Sequence, residues 1–148
     1  MTCVAIGMTP DLVDSAEVNA QLSDKARFRA MCERLDLPSP RAIPLADFPR
    51  QGRYICKPVD AFSGRGITIF DGEDSQALER AVSAAESSSA SGQYLLETCV
   101  EGQLYSLSAF LVSQKIAYDV CVIEGSSANP YAVDTSHVVH DLPPAALA

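Results

Sequence analysis

The sequence has 148 residues, which is about one domain and enough to bury a core. Its composition, 47% hydrophobic and 20% charged, is typical of a globular protein. Eleven basic residues against 19 acidic ones give a net charge of −8 without a basic stripe, which argues against binding to nucleic acid or anionic membranes. The sequence contains neither an apolar run of membrane-spanning length nor a signal-peptide pattern, so we expect a cytoplasmic protein.

The first part of the sequence predicts helices. Residues 10–22 permit one helix, and Ser23 is a candidate N-cap for a second. Along the second helix an apolar stripe recurs at helical spacing before two prolines end it, and its members are Phe28, Met31, Cys32 and Leu35. A short strand is predicted at residues 42–45.

Strands dominate the rest of the sequence. Two strands, residues 54–59 and 66–70, flank a loop of small residues, and a helix is predicted over residues 75–86. Further strands are predicted at residues 94–100, 105–111, 116–123 and 131–139, followed by the start of a helix in the last six residues. In the strand at 105–111 the apolar residues alternate with serine, which predicts that it is half buried. This order predicts an α+β fold of helices with antiparallel strands, not a doubly wound α/β fold.

Residues that could hold a metal or form disulfides are few. The odd number of cysteines and their scatter favour buried, reduced thiols, at Cys3, Cys32, Cys56, Cys99 and Cys121. His137 and His140, with Asp141, offer too few ligands for a zinc site and favour a structural interpretation.

The loop at residues 61–66, Ala-Phe-Ser-Gly-Arg-Gly, allows two interpretations. It lacks the spacing of a P-loop and of a dinucleotide-binding fingerprint, and it joins two strands. It could be a plain hairpin turn. Alternatively, Ser63, Gly64 and Gly66 could bring backbone N–H groups close to an anion, because glycine permits close approach and positive φ.

Two of the chain's three lysines occupy unusual positions. Lys57 lies in the middle of an apolar strand, where it is either a solvated edge residue or a cation that lines a cleft. In a cleft its attraction to phosphate rises from about 1 to about 4 kcal/mol. Lys25 opens a helix, where a cation opposes the helix dipole. Such local violations often mark functional sites.

The segment that begins at Glu97 also carries candidate binding groups. Glu97 lies inside an apolar strand and requires a partner if it is buried. The backbone from Glu97 through Thr98 to Val100 could offer a carbonyl and an amide to an adenine edge. The Glu101 carboxylate could accept a hydrogen bond from a ribose hydroxyl.

In order and spacing, these segments resemble the ATP-grasp superfamily of carboxylate–amine ligases, which includes biotin carboxylase and the carbamoyl-phosphate synthetase large chain. The matching stretches are SDKARFRAMCERLDLPSPR, YICKPVDAFSGRGITIF and YLLETCVEGQLYS. The resemblance implies that Lys25 and Lys57 hold nucleotide phosphates. It also implies that Ser63, Gly64 and Gly66 form a lid, and that the adenine hinge comprises Glu97, Thr98, Cys99 and Val100.

The resemblance also implies an organisation and a chemistry. Residues 1–22 would be a linker or helix left from a preceding domain, residues 23–95 the small ATP-grasp subdomain, and residues 96–148 the truncated start of the large subdomain. ATP and Mg²⁺ would be the cofactors, ATP activating a carboxylate as an acyl phosphate that an amine attacks.

Three departures from the family pattern qualify this expectation. Leu104 stands where an acidic ribose contact is expected, although Glu101 could substitute for it. The late Glu and Asn-x-x-Arg-like block that binds Mg²⁺ is absent, as is the preceding substrate domain. We therefore expect a fragment or a shortened form that is inactive alone, with its Mg²⁺ ligands outside this chain. The rival hypothesis is a catalytically inactive interaction module that forms a homodimer through an open sheet edge.

Overall fold

The structure is a computed structural model, and it describes residues 14–140. The chain divides into two compact units between Cys99 and Val100. Part of the first predicted helix, at residues 10–13, lies outside the described residues, and so do Cys3, Asp141 and the helix predicted at the C-terminus. Among residues 14–140, none of the helices combines the length and the apolar character needed to cross a membrane.

The described residues of the first unit form three helices and three strands. In chain order they are α1 (Ala16–Ser23), α2 (Lys25–Arg34), a 3-10 turn (Leu45–Asp47), β1 (Arg53–Pro58), β2 (Thr68–Asp71), α3 (Ser75–Ser88) and β3 (Tyr94–Thr98). The strands form an antiparallel sheet in the order β2-β1-β3, with β1 in the centre.

The core of this unit lies between the sheet and α3. Side chains alternate across a strand, so one face of β1 presents Tyr54 and Cys56 to α3. Their buried neighbours are Phe70, Ala81, Ala85 and Leu96. The opposite face carries Ile55 and Lys57 of β1, and the register with β3 places Glu97 beside Ile55.

Two local predictions near α2 are wrong. The N-cap is Asp24, whose side chain accepts a hydrogen bond from the Arg27 amide, while Ser23 ends α1. The predicted strand at residues 42–45 is reduced to a single bridge between Ala42 and Glu97, because the chain turns into the 3-10 segment at Leu45.

The apolar stripe predicted for α2 is only partly correct. Cys32 is buried, but Leu35 caps the helix and is 55% exposed. The inward face of the helix instead carries Lys25, Arg29 and Cys32, which are spaced i, i+4, i+7. The thiols of Cys32, Cys56 and Cys121 are free and buried, as predicted, and that of Cys99 is free and half-buried.

The second unit contains an antiparallel sheet in the order β4-β5-β6. Its strands are Leu104–Val112, Lys115–Gly125 and Thr135–Val139. Ser113 and Gln114 both have positive φ, which the tight turn between β4 and β5 requires. The strand predicted at residues 105–111 is confirmed, but its half-burial is wrong: Leu107 is 52% and Leu111 67% exposed. Within the described part of this unit no helix covers the sheet.

Candidate functional site

A buried carboxylate lies at the centre of the candidate site. Glu97 on β3 is 1% exposed, and each of its oxygens accepts from a different cation. Oε1 pairs with the Arg29 guanidinium of α2, and Oε2 pairs with the Lys57 ammonium of β1. The two cations are themselves mostly buried, with 19% of the Arg29 and 14% of the Lys57 side chain exposed. The partner that a buried Glu97 requires is therefore a pair of cations.

Arg29 is the residue of this cluster that the sequence analysis did not single out. It lies one helical turn after Lys25 and three residues before the buried Cys32. Both spacings place a side chain on the same helix face. That spacing is the signal that could have identified it, because a cation next to a buried cysteine on one face requires a counter-charge.

Lys25 lies at the base of the loop. Its backbone amide donates to the Val59 carbonyl at 3.0 Å, and its ammonium donates to the Ala61 carbonyl at 2.6 Å. The same ammonium lies 5.6 Å from the centroid of the Phe62 ring, which is a cation–π distance. Burial lowers the pKa of Lys25, and repulsion from Lys57 lowers it further. Asp60 and Asp24 act in the opposite direction, so Lys25 is influenced by one further cation and by two carboxylates.

The loop itself has the backbone that the sequence predicted for a glycine-rich turn. It joins two antiparallel strands, and Ser63, Gly64 and Gly66 all have φ between 56° and 72°. Ala61 is buried at its base, whereas Phe62 is 64% exposed. The tip of the loop is thus exposed while its base is packed.

Asp60 fastens the start of the loop to the segment after α3. Its carboxylate accepts from the Ser89 hydroxyl at 2.7 Å and from the Ser91 and Ala90 amides at 2.9 and 3.2 Å. These hydrogen bonds, that of Ser89 first, lower the pKa of Asp60 to about 2. The serine-rich tail of α3 is therefore a set of donors for this carboxylate.

This shift predicts a pH-dependent contribution to stability. Because the pKa of Asp60 lies below its unfolded value, its contribution is complete above about pH 4 and is lost as the pH falls through about 2. We expect wild type to melt at a higher temperature than Asp60→Asn at pH 5, and the difference to disappear near pH 2. A melting-temperature difference that stays constant from pH 6 to pH 2 would contradict this assignment.

Gly66 anchors the other end of the loop through close packing. A Cβ there would lie 2.5 Å from the Ser88 Cβ and 2.9 Å from the Pro58 Cγ. Gly92 has nearly the same φ, +69° against +68°, but a Cβ there meets nothing within 4 Å. Gly92 therefore provides a matched control for backbone strain without steric overlap.

We expect Gly66→Ala to destabilise the protein more than Gly92→Ala. Both variants carry the left-handed backbone cost of about 1–2 kcal/mol, and Gly66→Ala adds an overlap cost of about 1–3 kcal/mol. Urea unfolding of the two variants measures the difference. Equal free energies of unfolding would show that the loop accommodates a Cβ at Gly66 with no loss of stability from steric overlap.

The segment predicted as an adenine hinge is divided by the structure. Thr98 ends β3, and the Cys99 amide donates to the Arg53 carbonyl at 2.9 Å, so β1 already occupies it. Val100 and Glu101 belong to the second unit. The structure thus groups Lys25, Lys57, Glu97 and the loop residues within the first unit, and the hinge and ribose roles stay predictions.

The described residues do not fit a magnesium site. Over residues 14–140 no group of three His, Cys, Asp or Glu side chains could hold a metal. Both oxygens of Glu97 are occupied by cations, and Asp60 is occupied by hydroxyl and amide donors. Mg²⁺ prefers oxygen ligands that are free to coordinate it.

Comparison with solved structures identifies the fold. The D-alanine–D-alanine ligase from Helicobacter pylori matches 87% of this chain with a TM-score of 0.60 and 18% identity. D-alanyl-alanine synthetase A from Vibrio cholerae O1 biovar eltor matches 84% with a TM-score of 0.58 and 20% identity. No protein-family model and no curated protein match the sequence.

The chain therefore has the fold of part of a D-alanine–D-alanine ligase, which is an ATP-grasp enzyme. It spans 40% and 42% of the lengths of these two ligases. The α+β architecture and the resemblance predicted from the sequence are confirmed at the level of the fold.

Proposed function

We propose that the first unit binds the triphosphate of ATP through Lys25 and Lys57, beneath a lid formed by Ser63, Gly64 and Gly66. The observation that carries this proposal is that the Lys25 ammonium donates to the Ala61 carbonyl at the base of the loop, while Lys57 lies on β1, the strand that enters the same loop. A polyphosphate beneath this loop would meet both ammonium groups, and opposite charges at short range favour its binding.

The arrangement of charges supports the same conclusion. Arg29 and Lys57 share the single charge of Glu97, and among the described contacts the Lys25 ammonium donates to carbonyl oxygens, with Asp60 and Asp24 acting on it only electrostatically. Lys25 can therefore turn to a phosphate without giving up a direct ion pair. In such a partly buried setting an ion pair with phosphate is stronger than in water.

The reaction we propose is the activation of a carboxylate as an acyl phosphate for attack by an amine, as part of an ATP-grasp ligase. The fold shared with two amino-acid ligases supports this class. Lys25 and Lys57 would hold the transferred phosphoryl group in place and stabilise the negative charge on its oxygens. The lid would donate backbone N–H groups to the phosphates, and by covering them it would exclude water. Mg²⁺ would need ligands from outside this chain, because the described residues do not fit it.

Calorimetric titration with ATP, tripolyphosphate and AMP tests the proposal. We expect ATP and tripolyphosphate to bind in a saturable manner and AMP to bind far more weakly, because the cations act on the distal phosphates. Mg²⁺ is added in a parallel series. Equal affinities for AMP and ATP, or no saturable binding at millimolar concentrations, would contradict the proposed function.

A second candidate, an interaction module that forms a homodimer, is favoured by the surface of the second unit. Phe110 and Tyr118 face each other across β4 and β5 with ring centroids 6.4 Å apart, yet are 72% and 62% exposed. Apolar surface of this kind, when it is contiguous on a sheet face, is the kind that a partner covers. Sedimentation of wild type and of the Phe110→Ser/Tyr118→Ser variant would test it: this candidate requires a dimer that the double substitution dissociates.

A further inference from the structure

Glu97 holds its two cations through separate oxygens. Arg29 Nε donates to Oε1 and Lys57 Nζ donates to Oε2, so neither cation must leave for the other to bind. Lys57 is the cation to which the proposed function assigns phosphate. Without ligand, its charge is already shared with a carboxylate that is 1% exposed.

Phosphate binding at Lys57 therefore competes with Glu97. If Lys57 were the only partner of Glu97, its transfer to a phosphate would leave a buried carboxylate without a counter-charge, and such a change is strongly unfavourable. Arg29 removes this obstacle, because it can keep the carboxylate paired after Lys57 has moved. A guanidinium suits this role, since it stays charged at all relevant pH values and forms geometrically defined hydrogen bonds.

We propose that Arg29 is a positioning residue for polyphosphate binding: it retains Glu97 when the ligand draws Lys57 away. This inference rests on the proposed function and adds a residue that does not itself touch the phosphate. Arg29 lies one turn after Lys25 on the same helix. This helix therefore carries Lys25 to the loop and also carries the arginine that keeps Glu97 paired when Lys57 moves to the phosphate.

A purely structural role for Arg29 leads to a different expectation. In that case Arg29→Gln would lower the free energy of unfolding but leave the affinity of the folded protein for phosphate unchanged. A direct contact with the ligand would also differ, because the loss of affinity would then be independent of the residue at position 97. The background at position 97 therefore separates the three roles.

The experiment is a double-mutant cycle on tripolyphosphate affinity, measured by calorimetry at physiological ionic strength. The variants are Arg29→Gln, Arg29→Lys, Glu97→Gln and the double variant Arg29→Gln/Glu97→Gln. Arg34→Gln is the matched control, an exposed arginine at the end of the same helix. Circular dichroism confirms the folded fraction of each variant.

We expect Arg29→Gln to weaken tripolyphosphate binding about tenfold, or about 1.4 kcal/mol. Arg29→Lys should recover most of this loss, and Arg34→Gln should bind like wild type. With Gln at position 97 the same Arg29→Gln change should cost less than about threefold, because no buried carboxylate then competes for Lys57. If Arg29→Gln does not fold alone, Arg29→Lys replaces it and is measured with Glu and with Gln at position 97: a loss of affinity only with Glu97 supports the role, and an equal loss in both backgrounds overturns it.

The outcomes distinguish this inference from the proposed function. Wild-type binding with no loss in Arg29→Gln, or an equal loss in both backgrounds, would overturn the positioning role and leave the phosphate site intact. A wild type that binds no tripolyphosphate would overturn the proposed function, and the positioning role with it.

Discussion

Replacing Lys57 with methionine is expected to weaken ATP binding by about 10- to 150-fold, the equivalent of one charge-assisted hydrogen bond of about 1.5–3 kcal/mol. Methionine keeps an unbranched apolar side chain in the strand but removes the ammonium that is placed to bind phosphate. Arg29 still pairs with Glu97 in this variant, so the folding cost is expected to be smaller than the binding cost. Calorimetry and thermal melting on the same samples measure the two effects separately.

Lys115→Met is the matched control for this loss of affinity. Lys115 is exposed at the first residue of β5 in the second unit, and it carries the same charge on the same side chain. A change in overall net charge would weaken binding equally in both variants. Equal affinities of Lys57→Met and Lys115→Met for ATP would therefore remove Lys57 from the site.

Glu97→Gln is expected to lower the stability of the protein without lowering its affinity for phosphate. The substitution leaves Lys57 and Arg29 mostly buried without a counter-charge, and breaking such pairs costs about 3 kcal/mol or more. For a unit of this size, that cost corresponds to a fall in melting temperature of about 10 °C or more. Affinity for tripolyphosphate is expected to stay the same or to increase, because Lys57 no longer has a competing carboxylate.

The control is Glu79→Gln on the exposed side of α3, which we expect to change the free energy of unfolding by less than about 0.5 kcal/mol. Urea unfolding compares the two variants. A stability loss in Glu97→Gln as small as that in Glu79→Gln would mean that the buried carboxylate does not hold the two cations. A parallel loss of phosphate affinity would mean that Glu97 organises the site rather than competes within it.

The sequence predicted β1 and β2 of the first unit well because their patterns are local. The apolar run around Lys57 and the glycines after it specify a strand, a loop and a second strand whatever surrounds them. The contact between Lys57 and Glu97 could not be predicted in this way. It depends on the register of β1 and β3, which sets Ile55 opposite Glu97 across 41 intervening residues of chain.

Arg29 shows why the candidate site was incomplete. Choosing the inward face of α2 from apolar residues alone favoured Leu35, which is exposed, over Arg29, which is not. The helix can orient Arg29 inward only because the buried carboxylate of Glu97, on β3, pairs with it. Asp60 and Ser89 are a similar case, since hydrogen bonds over 29 residues of sequence separation leave no periodic pattern.

The second unit shows the limit of hydrophobic alternation. Its pattern at residues 105–111 correctly predicts a strand, because alternation reflects strand geometry. Burial, however, also requires a second layer, and the described residues of that unit supply only the three strands.

The claim that Lys25 and Lys57 bind one polyphosphate together is tested most directly by the side-chain NMR signals of lysine. The chain contains three lysines, so three Cε–Hε resonance groups report on three defined positions. During titration with tripolyphosphate, we predict that the Lys25 and Lys57 resonances shift along one common saturation curve while those of Lys115 stay in place. Different saturation curves for Lys25 and Lys57, or equal shifts of all three lysines, would contradict the claim.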